Sequence, residues 1–390
     1  MLEINLGKQL NAQASSNPGA MRKIRILALL RQRGPMSRAE LSRATGISKS
    51  SISLIVDQLI LQGSVQQLQA TPANRNKTIR GRPGELIEID PSSGAAIGIE
   101  ISYNKIVGII GDVSHQILAT RIVEVEPKSR GDKLNKIIQE LVSDLMNAAR
   151  ITPSRILGIG IGKLELEKDH DLSLESNVRL STGFSCRIEK SSNLSAFSEM
   201  LWGSGRSYEN VIYLKIEEFI GGALVVNNQV IRGTSGEMGD FGHLTVDFNG
   251  QVCRCGHRGC LDTYSGLQAI LNSSILALGY EISLENFEKM ISKEDVICNR
   301  ILRDSAIRVG QAAAMLSRVL RPDAVIIGST ILNIQGSYFK WLNSAFREDL
   351  EGALPTTELL LGSLGLDSSA MGAVAMVLNQ PEITPSRKWD

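Results

Sequence analysis

Three cysteines and a nearby histidine offer the clearest chemistry in the sequence. Cys253, Cys255 and Cys260 follow the pattern C-x-C-x4-C, within a loop that also contains two glycines. Three thiolates and one imidazole form the tetrahedral ligand set of a closed, structural zinc site. The imidazole can come from His243, ten positions before the first cysteine, or from His257 inside the loop. The spacing therefore predicts a structural Zn²⁺ site and leaves its fourth ligand open.

Cysteine usage and composition also bound the class of protein. The chain of 390 residues contains only five cysteines, which favours a reducing compartment and argues against a disulfide framework. A set of redox-active or buried free thiols is the alternative to a metal site. The composition, with 43% apolar residues, excludes a collagen and a wholly disordered chain. No apolar run has the length of a membrane helix, and the first residues do not resemble a signal peptide, so we expect a cytoplasmic protein without membrane insertion.

The net charge of +1 conceals a strong asymmetry along the chain. Residues 1–83 carry thirteen basic and three acidic side chains, a net charge of +10, so the remaining residues carry −9. A basic segment attracts nucleic-acid phosphates, because binding releases condensed counterions. A solvated basic face is the alternative explanation. The asymmetry indicates a basic module joined to an acidic body.

The basic segment has the pattern of a helix-turn-helix. Apolar residues at helical spacing precede a Gly-Pro stop, and Ser37 with Glu40 then forms the sequence of a capping box. Gly46 marks a tight turn, and Ser48 is a suitable N-cap for the next helix. A helix, a short turn with glycine and a second amphipathic helix are typical of this DNA-binding motif. We expect the third helix to bury Ile52, Ile55, Leu59 and Ile60.

Two further stretches complete a winged helix. The alternating segments SVQQLQ and GELIEID flank a polar loop, TPANRNKTIRGRP, which predicts a β-hairpin with a basic tip. Its RGRP tract resembles the core of an AT-hook, whose arginines enter a narrow minor groove. A protein-docking module of three helices is the alternative. The predicted DNA-contacting residues are Arg38, Ser48, Lys49, Ser50, Ser51 and Ser53 on the helices, and Arg80 and Arg82 on the wing.

From Gly94 onward, apolar strands alternate with helical stretches. The segments AAIGIEI, KIVGIIGD, RILGIGIGKL, ENVIYLKI, FIGGALVV and DAVIIGST read as strands, and DKLNKIIQELVSDLMNAAR and RILRDSAIRVGQAAAMLSRVL read as helices. This alternation over about 300 residues predicts an α/β body.

Together these features resemble the ROK family of repressors and sugar kinases. The most specific part is the signature G-H…C-x-C-G-x-x-G-C-L-[E/D], present as Gly242-His243 and the run from Cys253 to Asp262. The resemblance covers nearly the whole chain, including the winged helix found in the repressor branch. It implies a two-lobed, actin-like (ribonuclease H-like) sugar-kinase fold with a zinc knuckle, and it favours His243 over His257 as the zinc ligand. We expect a winged helix at 1–90, a first α/β lobe at 91–200 and a second lobe, with the zinc site and a C-terminal return, at 201–390.

The positions that would carry kinase activity depart from the family pattern. The phosphate loop D-x-G-G-T is replaced by Glu100-Ile101-Ser102-Tyr103-Asn104. The second loop, T-G-x-G-G-G, becomes the run from Glu218 to Ala223, preceded by Glu217, so that two carboxylates would repel a triphosphate. Ser191 stands where the family has its catalytic aspartate. A serine does not accept a hydroxyl proton at neutral pH, so the resemblance predicts no kinase activity.

A sugar-like effector site is partly retained. In the family, sugar hydroxyls are held by the residues that here correspond to Asp240, His243 and Asp262, each carboxylate being one methylene shorter. Lys190 and Ser191 replace an Asn-Asp pair, and a lysine there favours an acidic or phosphorylated effector. These five residues are the predicted effector site, and the alternative is a vestigial cleft that binds nothing.

These inferences favour a sequence-specific transcriptional regulator of carbohydrate-related genes, a repressor by resemblance. Its expected partners are a double-stranded DNA operator, other copies of itself in a dimer or tetramer, and a sugar or sugar-phosphate effector. One alternative is a ROK sugar kinase with an appended DNA-binding module. The other is a protein-interaction module without sequence-specific DNA binding.

Overall fold

The computed structural model describes residues 18–68, 85–126, 131–163, 171–233, 238–329, 336–351 and 357–378. Within them the basic segment forms a winged helix-turn-helix. Its helices are α1 (Pro18–Arg33), α2 (Arg38–Thr45) and α3 (Lys49–Leu61), and its strands are β1 (Met36–Ser37), β2 (Val65–Gln67) and β3 (Leu86–Ile89), in the sheet order β1-β3-β2.

The local signals of this module act as predicted. Ser37 and Glu40 form both hydrogen bonds of a capping box at the start of α2, which ends at Gly46 with a φ of 70°. Ser48 caps α3 by accepting a hydrogen bond from the backbone N–H of Ser51. The predicted core of α3 is only partly right. Ile52, Val56 and Leu59 are its fully buried residues, whereas Ile55 and Ile60 are half-buried.

The body contains two five-stranded sheets with helices between the strands, which confirms the predicted α/β class. The first sheet has the order β6-β5-β4-β7-β8 and is accompanied by α4 (Gly131–Ala149) and α5 (Asp171–Thr182). Its first three strands in chain order pair antiparallel, and β4 pairs parallel with β7. The strands are β4 (Ala95–Ile101), β5 (Lys105–Asp112), β6 (Ile117–Glu124), β7 (Ile156–Lys163) and β8 (Cys186–Lys190).

The second sheet repeats this arrangement, with the order β11-β10-β9-β12-β13. Again the first three strands are antiparallel and the fourth pairs parallel with the first. Its strands are β9 (Val211–Ile216), β10 (Ile220–Val226), β11 (Gln229–Ile231), β12 (Ala324–Ser329) and β13 (Glu358–Leu361). The helices of this lobe are α6 (Ser191–Trp202), α7 (Asp262–Ser265), α8 (Leu267–Leu278), α9 (Leu284–Ser292), α10 (Val296–Leu320) and α11 (Ser337–Leu350).

The last helix, α12 (Ser368–Leu378), packs on the first sheet, far from its neighbours in sequence. Two strand glycines make this approach possible. A Cβ atom at Gly98 would overlap the carbonyl oxygen of Ala370, and one at Gly160 would overlap that of Ala373. The chain thus returns to its first lobe at its C-terminal end.

Contacts divide the described residues into two compact units. One is Lys190–Ser369, and the other contains residues 18–163, 171–189 and 370–378, including the winged helix. The chain crosses from one unit to the other at Lys190, the last residue of β8, and crosses back within α12, whereas residue 200 lies within α6. The segments 1–90, 91–200 and 201–390 remain predicted domains, because shared contacts do not show which parts of a chain fold alone.

Candidate functional site

The predicted metal ligands converge on one point of the unit Lys190–Ser369. The ligand atoms of His243, Cys253, Cys255 and Cys260 all lie within 4.8 Å of one another. The Sγ atoms of Cys255 and Cys260 are 3.6 Å apart, and His243 Nδ1 is 3.6 Å from Cys253 Sγ. Zn–S bonds of about 2.3 Å in a tetrahedron place two sulfur atoms about 3.7 Å apart. The four residues therefore fit a tetrahedral zinc ion.

The backbone of the loop explains how a short segment presents three thiols. The N–H of Cys253 donates a hydrogen bond of 2.7 Å to the carbonyl of His257. This bond closes a tight turn over residues 253–257, which includes Cys255. At Gly259, which has a φ of 66°, a Cβ atom would overlap the carbonyl oxygen of Asp247. Glycine is thus required where the loop passes the segment that follows His243. The loop is held by main-chain geometry as well as by any bound ion.

His257 contacts one thiol but lies outside the four-ligand group. Its Nδ1 is 3.6 Å from Cys255 Sγ. A hydrogen bond from the backbone of His257 lowers the pKa of the exposed Cys255 thiol to about 7, which favours the thiolate that a metal binds. His243 completes the compact set, and His257 belongs to its surroundings.

Two of the predicted effector residues, Lys190 and Asp240, form an ion pair with each other. Lys190 Nζ is 2.7 Å from Asp240 Oδ1 and also donates to the carbonyl of Met238 at 3.2 Å. Ser191 is the first residue of α6 and is buried. His243 follows Asp240 in a short 3-10 turn and is joined to it by a backbone hydrogen bond of 3.0 Å. The start of α6, with Lys190 and Ser191, thus lies beside the turn that contains Asp240 and His243.

Asp262 has partners that the sequence did not reveal. Its Oδ1 accepts a hydrogen bond from the backbone N–H of Ile220 at 2.7 Å, and its Oδ2 is 3.3 Å from the guanidinium of Arg254. Arg254 also stacks over Phe219, 3.8 Å from the ring centre. Burial raises the pKa of Asp262, while the Ile220 N–H, Arg254 and His243 lower it. In the sequence, only the position of Arg254 between Cys253 and Cys255 could have suggested that this arginine lies near the predicted site.

In the region of the second kinase loop, a lysine partly offsets the negative charge of the glutamates. Glu217 is buried and forms an ion pair with Lys215, with Nζ 3.3 Å from Oε2. Glu218 is buried beside it, and their carbonyls accept hydrogen bonds from the start of α8. The predicted repulsion of a triphosphate counted both carboxylates, but Lys215 offsets one of them. The argument against phosphate binding is therefore weaker here than the sequence indicated.

The predicted DNA-contacting residues divide into exposed and internally paired groups. Ser48, Lys49 and Ser50 are exposed at the start of α3, and Ser51 is half-buried beside them. Ser48 Oγ lies 2.9 Å from Ser51 Oγ and 3.2 Å from Ser50 Oγ.

Arg38 is engaged within the module. Its Nη2 is 2.8 Å from Asp57, and its Nη1 donates to the carbonyl of the half-buried Ser53 at 3.5 Å. Arg38 thus links α2 to α3. Arg80 and Arg82 of the predicted wing lie outside the described residues.

Comparison with known proteins finds one family match for the body of the chain and another for its N-terminal module. Residues 96–380 match the ROK family, and residues 20–75 match the MarR family. The xylose repressor of Bacillus subtilis (strain 168) is 26% identical over 377 residues, covering 91% of this chain and 94% of the relative. The structural match to a ROK family transcriptional regulator, a homolog of the E. coli MLC protein, has a TM-score of 0.76 at 21% identity, covering 93% and 97% of the two chains.

A kinase of the family is similar as well. The ROK hexokinase from Thermus thermophilus is 25% identical, with a TM-score of 0.61, and the match covers 72% of this chain and 96% of the hexokinase.

Within the described part of the chain, no helix has the length and apolar character needed to cross a lipid bilayer.

Proposed function

This chain belongs to the ROK family, and we propose that it is a sequence-specific DNA-binding transcriptional regulator, a repressor of carbohydrate-related genes. The observation that carries the proposal is the exposed start of α3 in a winged helix-turn-helix, with Lys49 and Ser50 exposed in its first turn. A recognition helix enters the major groove with this end. The similarity to a xylose repressor over nearly the whole chain supports the same function. Such a regulator acts in the cytoplasm, on a double-stranded operator.

The DNA-contacting set comprises Lys49 with Ser48, Ser50, Ser51 and Ser53. Hydroxyl and ammonium donors at a helix start suit both phosphate oxygens and base edges. Arg80 and Arg82 are the proposed wing contacts. We assign Arg38 an indirect part, because its guanidinium is held by Asp57. Two modules in a dimer or tetramer would read paired half-sites.

Removal of the Lys49 charge tests this interface. In anisotropy titrations with DNA fragments that the native chain selects from its own genome, Lys49→Ala weakens binding by about tenfold. It also reduces the slope of log affinity against log salt by about one, since one phosphate contact is lost. Lys136→Ala removes an exposed lysine of α4 and serves as the matched control. Equal affinities for the two variants would contradict the proposed interface.

We propose Zn²⁺ as a structural ion held by His243, Cys253, Cys255 and Cys260. The supporting observation is the tetrahedral spacing of three thiols and one imidazole. Bound zinc would cross-link the cysteine loop to the turn that contains His243, and so stiffen the part of the lobe next to Asp240. The protein's own residues supply the turn geometry and the thiolate at Cys255.

The proposed effector is a sugar or a sugar phosphate, held by Asp240, His243 and Asp262 with Lys190 and Ser191. Both carboxylates already pair with a cation, so an effector must share or displace Lys190 and Arg254. A thermal-shift screen of sugars and sugar phosphates tests this, because a ligand that binds the native state raises the melting temperature. A shift lost in Asp240→Asn supports the assignment, and a full shift in that variant contradicts it.

We propose that the chain does not transfer phosphate. The family resemblance aligns Ser191 with the catalytic aspartate, and this serine is buried at the start of α6. The similarity to a ROK hexokinase keeps a kinase with an appended DNA-binding module as the second candidate. A phosphotransfer assay with ATP across hexoses and amino sugars separates the two. Measurable turnover would favour the kinase.

A further inference from the structure

The winged helix and the first lobe share one hydrophobic core. Ile26 and Leu30 of α1 belong to the same buried cluster as Ile109 of β5, Val113 just beyond it and Val374 of α12. Three parts of the chain thus contribute to one core: the DNA-binding module, the first sheet and the C-terminal helix. Burial of this apolar surface holds the module against the lobe, although the hydrophobic effect itself is non-directional. Polar contacts at the edge of the shared core add a directional constraint to this packing.

Arg31 supplies such a contact. It lies in the last turn of α1, and its Nε donates a hydrogen bond of 2.9 Å to the carbonyl of Val113, in the turn that follows β5. Although the side chain is only partly buried as a whole, burial of its charged group lowers the pKa of Arg31 to about 10. A charge-assisted hydrogen bond in such surroundings is strong and fixes its partners' geometry.

His115 completes the turn that receives Arg31. It has a φ of 71°, in the left-handed region that is uncommon for residues other than glycine. Its backbone N–H donates to the carbonyl of Asp112 at 2.8 Å, and the Asp112 carboxylate accepts hydrogen bonds from the backbone of Ser114 and Gln116. The carbonyl that accepts the Arg31 hydrogen bond therefore belongs to a turn with a well-defined shape.

The chain connection between module and lobe provides a second anchor. β3 leads into β4 through a short 3-10 turn, Pro91–Ser93, and Arg155 of the lobe donates to the carbonyl of Pro91 at 3.3 Å. Asp90 N–H also donates to the carbonyl of Ser64 at 3.2 Å. This anchor lies at the chain connection itself. Arg31 adds a contact at α1, and two separated anchors define a direction.

We propose that Arg31 is a positioning residue for DNA recognition, which fixes the direction in which the winged helix projects from the first lobe. The inference rests on the proposed function. In an oligomer that reads two half-sites, the direction of each module sets the spacing between the recognition helices. Loss of Arg31 then leaves the DNA-contacting surface of each module intact and relaxes the accepted spacing.

The test compares Arg31→Met with Arg33→Met, an exposed arginine two positions further along the same helix. Each variant is titrated with a single half-site and with paired half-sites whose spacing is changed one base pair at a time. We expect both variants to bind the single half-site within about twofold of the native chain. Arg31→Met should lose about tenfold of the preference for the best spacing, whereas Arg33→Met should retain it.

Hydrogen exchange provides a reading without DNA. We expect amides of α1 near Arg31 to exchange about tenfold faster in Arg31→Met than in Arg33→Met. If Arg31→Met does not fold, Arg31→Lys, which keeps the charge and loses the Nε donor, takes its place in both measurements. An unchanged spacing preference overturns the positioning role, whatever the exchange shows. If the native chain selects no DNA, the proposed function fails, and exchange alone decides whether Arg31 holds the module, with equal rates overturning it.

Discussion

At the scale of single residues, the metal-ligand set and the predicted effector carboxylates differ in how they are held. The three cysteines come from one short loop, so local turns bring them together. Asp240 is instead paired with Lys190, which is distant in sequence. Asp262 is paired with Arg254, which lies between two of the cysteines. Spacing along the chain predicted the three cysteines, and the family resemblance favoured His243 as the fourth ligand. Spacing does not predict ion pairs that form only once separate strands and helices are packed.

We predict that Cys255→Ser reduces bound zinc from about one ion per chain to almost none and lowers the melting temperature. Serine is a poor ligand for zinc, and structural zinc contributes directly to folding stability. Elemental analysis and calorimetry of the purified chain give the two values, and a chelator should have the same effect on the native protein. Cys298→Ala, a buried cysteine outside the ligand group, should leave the zinc content unchanged. A full zinc complement in Cys255→Ser would contradict the assigned site.

His115 predicts a pH dependence of stability. Burial and the neighbouring Arg31 lower the pKa of His115 to about 3, against an ordinary value of 6.5. The unfolded chain therefore takes up a proton below about pH 6.5 that the folded state takes up only near pH 3. The contribution of His115 is fully present above pH 6.5 and is lost as the pH falls, by at most ~1.4 kcal/mol per pH unit.

Urea unfolding of the native chain and of His115→Asn between pH 7.5 and about 5 measures this contribution. Asparagine tolerates a positive φ and does not titrate in this range. We expect the free energy of unfolding to fall less steeply with decreasing pH in His115→Asn. Parallel pH profiles for the two proteins would show that His115 does not titrate differently in the folded state.

At the scale of elements, the starts of α2 and α3 were predictable, because N-cap hydrogen bonds join residues that are close in sequence. Ser37, Glu40 and Ser48 act within four residues of the helix starts. The buried face of α3 was predicted less well, since Val56 takes the place of Ile55 and Ile60. Several apolar residues on one helix permit more than one buried face, and packing against the rest of the module selects between them.

The cap of α3 gives a prediction for that helix. Ser48→Ala removes the acceptor of the Ser51 N–H and should reduce the free energy of unfolding by about 1 kcal/mol. Chemical denaturation measures the change. Ser50→Ala, also exposed in the first turn, removes a hydroxyl that caps no backbone group and should cost less than ~0.5 kcal/mol. Equal losses in the two variants would contradict the capping role.

The seat of α12 on the first sheet gives a second prediction at this scale. In Gly98→Ala the new methyl group meets the carbonyl oxygen of Ala370, which is backbone and has little room to move. We expect a loss of about 1–3 kcal/mol in the free energy of unfolding. In the control Gly108→Ala, on the neighbouring strand, the methyl group meets the ends of the Leu141 and Leu145 side chains, which can rotate. A loss as large in the control would contradict close packing by α12.

At the scale of the whole molecule, both sheets have the same strand order, although the sequence analysis identified no internal repeat. The alternation of strands and helices predicted the α/β class, and the ROK signature predicted the two lobes. The return of α12 to the first lobe depends on contacts between residues such as Gly98 and Ala370, which are far apart in sequence. No local pattern encodes a contact of that length.

The charge asymmetry also changes its meaning in three dimensions. Among the basic residues that the structure describes in the first 83, Arg31 and Arg38 have internal partners in Val113 and Asp57. Lys49 remains exposed at the start of α3. The side chains of Arg31 and Arg38 are therefore engaged within the molecule, whereas Lys49 is available to DNA at the end of the helix that would enter the groove.

Selection of DNA fragments from the organism's own genome, by the full chain at physiological salt, tests the central proposal most directly. The account predicts enrichment of one motif with two related half-sites, because an oligomer of winged-helix modules reads a two-fold symmetric operator. The enrichment should fall sharply with Lys49→Ala and persist with Lys136→Ala. Recovery of fragments without any shared motif would contradict sequence-specific DNA binding by this protein.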